Sequence, residues 1–321
     1  RDASTSRGLG DVYKRQTPMS VHELKRPQAL EWPAELLGNL PKALEHLQHW
    51  AQLTPLHIAL RHKRQGQWYA WRWIDVLRDV ERLADGLRQQ GFSAQSRLAL
   101  SGTFEPDLLL LALAAQSAGG QVLTLADDLE PEALYQQLWR IHPSHSYAQG
   151  RQQVRHWQSA NLLDFTQLLG PADPAQHLQR WWQPSGETVL WSEEGTHWQG
   201  GLAVVLEQWL NSGHGLAFPE SPASARRDRG EVAPTGLLLS PERLQHLADD
   251  IESRLAPHGT WRRRVCEWAI AHPQSGLRRL LKNRVRRLLG FQRLTYIWQP
   301  ASAQKTSRDP AWLAEFKRDI A

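Results

Sequence analysis

RLALSGTFEPDLLLLALAAQSAGGQVLTL, from Arg97 to Leu125, is the stretch that decides the fold. Leu98 to Leu100 form a short apolar run that ends at Ser101-Gly102. Pro106 suits the first turn of a helix, because its ring presets φ and its missing N–H is not needed there. Leu109, Leu110, Leu113 and Ala114 then recur at helical spacing and mark one apolar face. Gly119-Gly120 stops the helix, and Val122 to Leu125 read as the next strand. Strand, helix, strand in that order is a βαβ unit. The fold class expected is therefore α/β, a mostly parallel sheet flanked by helices.

Outward from this unit the chain reads as alternating elements. Leu40 to Leu53 is a helix that ends before Pro55. His57–Lys63 and Trp68–Trp73 pair as a hairpin around Gln65-Gly66, with Trp68, Trp71 and Trp73 as its core. A helix follows, with Val76, Leu77, Val80, Leu83, Ala84 and Leu87 at helical spacing. Beyond the unit, Pro131 starts a helix carrying Leu134, Leu138 and Trp139, and Ser144 to Ala148 is a strand. Gly150 to Ser185 mixes helix and loop character. Thr188 to Trp191 is a strand, followed by a helix near Leu202 to Leu210. Pro219 to Arg229 is linker-like. Ser240 is a good N-cap with Pro241 behind it, and Leu244, Leu247, Ala248, Ile251 and Leu255 form an apolar stripe.

The wording of these segments resembles a family. Arg97 to Leu100, Pro106-Asp107, Ala112 to Ala115 and Gly119-Gly120 are similar to the strand, Pro-acid pair, Ala-rich helix and glycine stop of adenylate-forming (AMP-binding) enzymes of the long-chain acyl-CoA synthetase type. GQWYAWRW (Gly66–Trp73) resembles that family's hairpin, and GLAFPES (Gly215–Ser221) one of its later strands. EVAPTGLLLSPERL (Glu231–Leu244) resembles its Glu-Val-x-Pro-Thr strand and the helix start behind it. The likeness runs from about Leu40 to Trp298. It implies part of the large N-terminal domain of such enzymes, which join a carboxylate to AMP using ATP and Mg and then pass the acyl group to coenzyme A.

The residues that carry that chemistry in the family do not recur. The family grips phosphates with a Thr-Ser-Gly-Thr-Thr-Gly-x-Pro-Lys-Gly loop, a nest of backbone N–H groups plus a lysine. One register places TVLWSEEGTHWQGG (Thr188–Gly201) there, with Gly195 and Thr196 as a degenerate remnant and Glu193-Glu194 as negative charge beside it. Another deletes the loop and matches His197 to a later family histidine. Under both, no lysine lies between Lys63 and Lys282. Each lost charge-assisted hydrogen bond is worth roughly 1.5–3 kcal/mol. Losing two or three weakens nucleotide binding by about two to six decades. The resemblance also implies Tyr-Gly-x-Thr-Glu and Thr-Gly-Asp segments, which this sequence lacks. No catalytic residue, no metal ligand and no cofactor is therefore expected in this chain, and a likeness of fold alone does not license activity.

Composition bounds the rest. The chain has 321 residues, 41% hydrophobic, with a formal net charge of +5 and a mean hydropathy of −0.54. Its longest apolar run, Leu108–Ala115, is far too short to span a bilayer. The single Cys266 forms no intramolecular disulfide, in keeping with a cytoplasmic setting, and reads as a packed thiol. Residues 1–18 read as a non-native leader, since Asp11–Gln16 resembles the translation of a transposon end used in sequencing libraries; Met19 is the expected start. Residues 19–150 read as an N-terminal α/β subdomain with the hairpin and βαβ unit, and 151–321 as a second, incomplete α/β subdomain ending in basic helices.

Those basic helices have their own physics. Arg278, Arg279, Lys282, Arg286 and Arg287 crowd one face opposite Leu277, Leu280, Leu281, Val285, Leu288 and Leu289, and Gly290 is the stop. Such a face suits an anionic membrane surface or another polyanion, each basic residue contributing about 1 kcal/mol near the lipid. A plain solvated face is the competing reading. Nucleic acid is not expected, because no recognition motif accompanies the charge. His142 and His145 have no second ligand pair. Glu193 and Glu194, adjacent on extended chain, point to opposite sides, and a loop role or plain solvation is expected of them. Gly213-His214-Gly215 reads as a helix-to-strand corner.

Three functions follow as expectations. The first is an acyl-CoA synthetase-like protein, catalytically inactive or partial, with a binding or regulatory role near fatty-acid metabolism. Its partners would be an acyl chain, an anionic membrane surface or another synthetase. The second is a fragment of a true ATP-dependent long-chain fatty acid–CoA ligase. The third is a basic protein working at a membrane surface, peripheral at the inner face.

Overall fold

The computed structural model describes residues 41–149, 161–169, 177–178, 186–254, 286–287 and 289–298, all within one compact unit, Glu35–Ala321. The leader 1–18, Cys266, Arg278, Arg279 and Lys282 lie outside the described residues.

The βαβ unit stands as read. β3 (Arg97–Ser101), α3 (Pro106–Ser117) and β4 (Gln121–Thr124) follow one another, and β3 and β4 pair in parallel. α4 (Pro131–Ile141) leads to β5 (His145–Ala148), which joins the other side of β3, and β6 (Asn161–Leu162) completes an all-parallel sheet in the order β4-β3-β5-β6. The single apolar face expected of α3 is corrected. Every residue from Leu108 to Ala115 is buried. The helix lies between the two sheets of the unit, so it meets apolar neighbours all round and has no solvent face to keep polar.

The second sheet gathers distant segments. β1 (Ile58–Arg64) and β2 (Gln67–Arg72) form the hairpin around Gln65-Gly66. β7 (His177–Leu178), β8 (Val189–Trp191), β9 (Gly215–Phe218), β10 (Gly236–Leu237) and β11 (Tyr296–Ile297) complete seven strands in the order β11-β10-β8-β9-β1-β2-β7. The pairings from β11 to β1 are parallel; those of β2 with β1 and β7 are antiparallel. β1 and β2 precede residue 150 and β8 to β11 follow it, so this sheet draws strands from both sides of that position.

Three tryptophans lock α1 (Pro41–Leu53), α2 (Trp73–Gln89) and α6 (Gly201–Ser212) onto this sheet. Trp73 and Trp209 stack with ring centroids 5.3 Å apart, and Trp50 tilts against Trp73 at 6.2 Å. Their polar edges are used: Trp209 Nε1 donates to the Ala59 carbonyl at 3.1 Å and Trp50 Nε1 to that of Leu210 at 2.6 Å. The hairpin core is not one cluster of three. Trp71 and Trp73 join this core, whereas Trp68 packs with Trp191, Val232 and Leu237 on the opposite side. Trp71 lies three positions after Trp68 on the strand, and an odd step along a strand changes face.

Two segments differ from their sequence reading. The linker-like Pro219–Arg229 is built structure, and α7 (Ala225–Val232) begins within it. Asp228 is fully buried and ion-pairs with Lys63 at 2.9 Å, and Lys63 also meets Glu231 at 2.6 Å. Burial alone would lower the Lys63 pKa, but its bonds to Glu231 and Asp228 outweigh it and raise the value. The same pairing draws Glu231 and Val232 into the last turn of α7, so the expected Glu-Val-x-Pro-Thr strand shrinks to Gly236–Leu237. Ser240 caps α8 (Pro241–Arg254), its Oγ accepting from the Arg243 N–H at 3.1 Å, and Leu244 and Leu247 are buried. Gly213 ends α6 in the left-handed region and β9 starts at Gly215, which is the corner read from the sequence.

Gly86 sets a close approach of α2 to α5 (Phe165–Leu169): a Cβ there would sit 2.5 Å from the Leu168 carbonyl oxygen. Alanine would otherwise favour the helix by roughly 1 kcal/mol. Here the contact is backbone, so the helices must part. Gly86→Ala is expected to destabilise by about 1–3 kcal/mol, read as a lower urea midpoint at unchanged slope.

Candidate functional site

The C-terminal edges of the two parallel sheets meet at one place, where α/β folds gather their ligand crevices. The turn after β3 (Gly102-Thr103) and the turn after β8 (Ser192 to Thr196) run against each other there. Thr196 N–H donates to the Gly102 carbonyl at 2.8 Å, and Gly102 N–H returns a bond to Thr196 Oγ1 at 2.9 Å. Thr103 and Gly195 form an antiparallel bridge, and Phe104 N–H donates to the Glu194 carbonyl at 2.8 Å. Gly195 permits this, since a Cβ on it would lie 2.8 Å from the Gly102 oxygen. Of the remnant singled out in the sequence, Thr196 thus spends its N–H on a seam between the sheets, and Gly195 stands opposite Thr103 in it.

Glu193 and Glu194 take different partners, and neither side chain is solvated. Glu193, with 6% of its side chain exposed, ion-pairs with Arg229 at 3.2 Å and Arg243 at 3.6 Å. Glu194, its side chain wholly buried, accepts from the Ser240 N–H at 2.8 Å and meets His197 Nε2 at 3.1 Å. His197 Nδ1 in turn lies 3.2 Å from Asp127, just past β4. Both ring nitrogens therefore face carboxylates, and these bonds, first to Asp127 and then to Glu194, push the His197 pKa up to about 10. The bond from His197 likewise lowers that of Asp127. The imidazolium has 38% of its side chain exposed and closes the outer rim of the seam.

A second polar group lies deeper. His62, on β1, is buried; desolvation, then the charge of Arg64, lowers its pKa to about 3. Its Nδ1 accepts from Arg64 Nε at 3.0 Å, and Arg64 also meets Asp107 at 2.9 Å. Glu105, the N-cap residue of α3, approaches His62 Nε2 to 4.0 Å, and burial raises its pKa. The single Thr103 hydroxyl proton lies between two acceptors, Glu105 Oε1 at 2.8 Å and Gln149 Oε1 at 2.9 Å from Oγ1. Nothing in the local sequence flags His62, because Glu105 and Phe218 beside it come from the start of α3 and from β9.

The other sequence candidates fall elsewhere. His142 caps α4 in a left-handed conformation against Trp139, while His145 turns inward to Ser144 Oγ and the Gln90 carbonyl. Among the described residues no group of three His, Cys, Asp or Glu side chains suits a metal ion. Of the basic run, Arg286 is half-buried and donates to the Leu294 carbonyl at 3.1 Å, and Arg287 is exposed. Among the described residues no helix is long and apolar enough to cross a membrane.

Two histidines predict opposite pH limbs. A raised pKa at His197 contributes stability that is complete below about 6.5 and is lost as pH rises towards 10. His197→Gln is expected to flatten that alkaline limb in urea unfolding between pH 7 and 10. A lowered pKa at His62 contributes stability present above 6.5 and lost as pH falls towards 3, on the order of 4 kcal/mol in full. His62→Phe, which cannot take up a proton, is expected to hold a higher midpoint than the parent chain at pH 4.

Known proteins place the chain. The model of the AMP-binding enzyme family matches residues 47–225, more than half of the sequence. No curated protein matches it. Among solved structures it is similar to unliganded O-succinylbenzoate coenzyme A synthetase of Bacillus subtilis, with a TM-score of 0.51 and 13% identity over 66% of this chain and 52% of that one. It is also similar to the N-terminal subdomain of Klebsiella oxytoca NpsA, with a TM-score of 0.52 and 12% identity over 65% and 64%. At such identities the likeness is one of fold, and the chain spans between about half and two thirds of those proteins. The parallel sheets, the crevice at their C-terminal edges and the match over 47–225 agree: this chain belongs to the AMP-binding enzyme family.

Proposed function

We propose that the chain is an acyl-CoA synthetase-like protein that acts by binding rather than by ATP-driven ligation. The observation that carries this reading is the seam itself. In the register that sets Thr188–Gly201 on the family's phosphate loop, the Thr196 N–H that would point at phosphate is bonded to Gly102. Beside it stand the carboxylates of Glu193, Glu194 and Asp127, and the cations that meet them, Arg229, Arg243 and His197, are held in ion pairs. In the register that deletes the loop, the cradle is absent from the sequence altogether. The residues present do not fit ATP and Mg.

An anion entering here would displace ion pairs as well as water. Truncating or displacing one partner of a buried charge pair costs roughly 3–5 kcal/mol, about two to four decades of affinity. What the crevice keeps is a partly open polar mouth at Glu105, Thr103 and Gln149 above an apolar core, which suits an uncharged or weakly acidic organic ligand near acyl metabolism. Isothermal titration with ATP-Mg and a non-hydrolysable analogue is expected to show no binding below millimolar concentration. Micromolar binding would overturn the reading.

A further inference from the structure

The last turn of α4 carries Trp139, the most exposed large apolar side chain among the described residues at 68%. Short contacts gather a group around it. His142 turns the chain out of the helix in the left-handed region and sets its ring 5.8 Å from the indole. Arg97 Nη1 donates to the Ile141 carbonyl at 2.9 Å. Arg97 N–H donates to Ser144 Oγ at 3.1 Å, and Ser144 N–H returns a bond to the Arg97 carbonyl at 3.0 Å. Arg97 is therefore fixed at the carbonyl end of α4, where Arg140 stands between Trp139 and Ile141 in the chain. His145 Nε2 lies 3.2 Å from the Gln90 carbonyl, and its ring is 5.2 Å from Phe92, so the loop after α2 runs alongside. Arg97 begins β3 and His145 begins β5. The group thus occupies the N-terminal edge of the four-stranded sheet, the edge away from the crevice.

Its charge has one sign. No Asp or Glu occurs from Gln89 to Ser101 or from Ala133 to Gln149. Arg97, Arg140 and His142 are exposed. Other surface arginines are neutralised: Arg64, Arg72, Arg78 and Arg88 meet Asp107, Asp75, Asp79 and Asp85. Among the described residues Arg97 and Arg140 meet no carboxylate. The carbonyl end of a helix would repel an anion, but here Arg97 covers it.

We propose that Trp139, Arg97 and Arg140 dock the chain on an anionic membrane surface, with the indole at the level of the lipid headgroups and the guanidinium groups on lipid phosphate and carboxylate. Tryptophan favours the lipid–water interface, where its ring is covered while its N–H stays wet. Each arginine near an anionic leaflet strengthens binding about fivefold. An acidic protein would offer the same charges, but a protein hot spot takes an aromatic ring into a packed pocket. A lone indole projecting from a helix end suits a surface that yields to it. Docked by this edge, the chain keeps its crevice open to water, and the patch shares no residue with that crevice.

The full chain is sedimented with vesicles of phosphatidylcholine alone and of phosphatidylcholine mixed with phosphatidylserine. It is expected to bind the mixed vesicles, less tightly as salt rises, and not the neutral ones. Trp139→Ala, which alters no charge, is expected to weaken that binding about tenfold, and Arg140→Gln about fivefold. Both side chains are exposed, so melting temperatures should not move and lost binding is not lost folding; should one variant melt lower, the other decides. If the basic run near Arg286 and Arg287 alone holds the vesicles, both variants bind as the parent does, and the proposal is overturned. No binding to the mixed vesicles, or equal binding to the neutral ones, overturns it as well. Binding to polyglutamate without binding to vesicles would give the patch to an acidic protein instead.

Discussion

The structure depends on the seam between the turn after β3 and the turn after β8. Parallel strands of the two sheets end side by side, and their turns would otherwise present unpaired N–H and C=O groups to each other. Reciprocal bonds between Gly102 and Thr196, the Thr103–Gly195 bridge and the bond from Phe104 to Glu194 satisfy those groups internally. Once that choice is made, the charges around it follow. Glu194 needs the Ser240 N–H and the His197 imidazolium, His197 needs Asp127, and Glu193 needs Arg229 and Arg243. Where the two sheet edges meet, the chain's own polar groups bond to one another.

This arrangement separates scaffold from chemistry. The scaffold rests on apolar burial: α3 sealed between the sheets, the Trp50–Trp73–Trp209 stack, and the leucine row across β8, β9 and β1. None of that asks for a phosphate-binding residue. Membership of a family of enzymes is thus a statement about this scaffold and does not by itself fix the chemistry at the edge.

The sequence is most transparent where structure is local. Pro106 and Gly119-Gly120 bracket α3, Gln65-Gly66 turns the hairpin, and Ser240 caps α8, each through contacts within a few residues. It is opaque where partners are remote. The burial of Glu193 depends on Arg229 and Arg243, that of Asp228 on Lys63, and the charge of His197 on Asp127, all far apart in the chain. A pair of adjacent glutamates reads as loop or solvated surface because the arginines that meet Glu193 lie far along the chain. Pro219–Arg229 reads as linker because its composition is polar, yet its polarity is spent inside on a lysine from β1. The all-round burial of α3 was within reach, since an unbroken run from Leu108 to Ala115 leaves no polar face.

The mixed ancestry of the seven-stranded sheet has a bearing on how the chain reaches this state. The four-stranded sheet draws β3, β4 and β5 from one continuous stretch, and pairing can begin as soon as that stretch is made. The larger sheet must bring β1 against β9, more than a hundred and fifty residues further on. Closing so long a loop is slow, and until it closes the tryptophans of the hairpin and the free side of β1 are unprotected. During synthesis this interval is when the polypeptide is most open to chaperones and to association with its own kind.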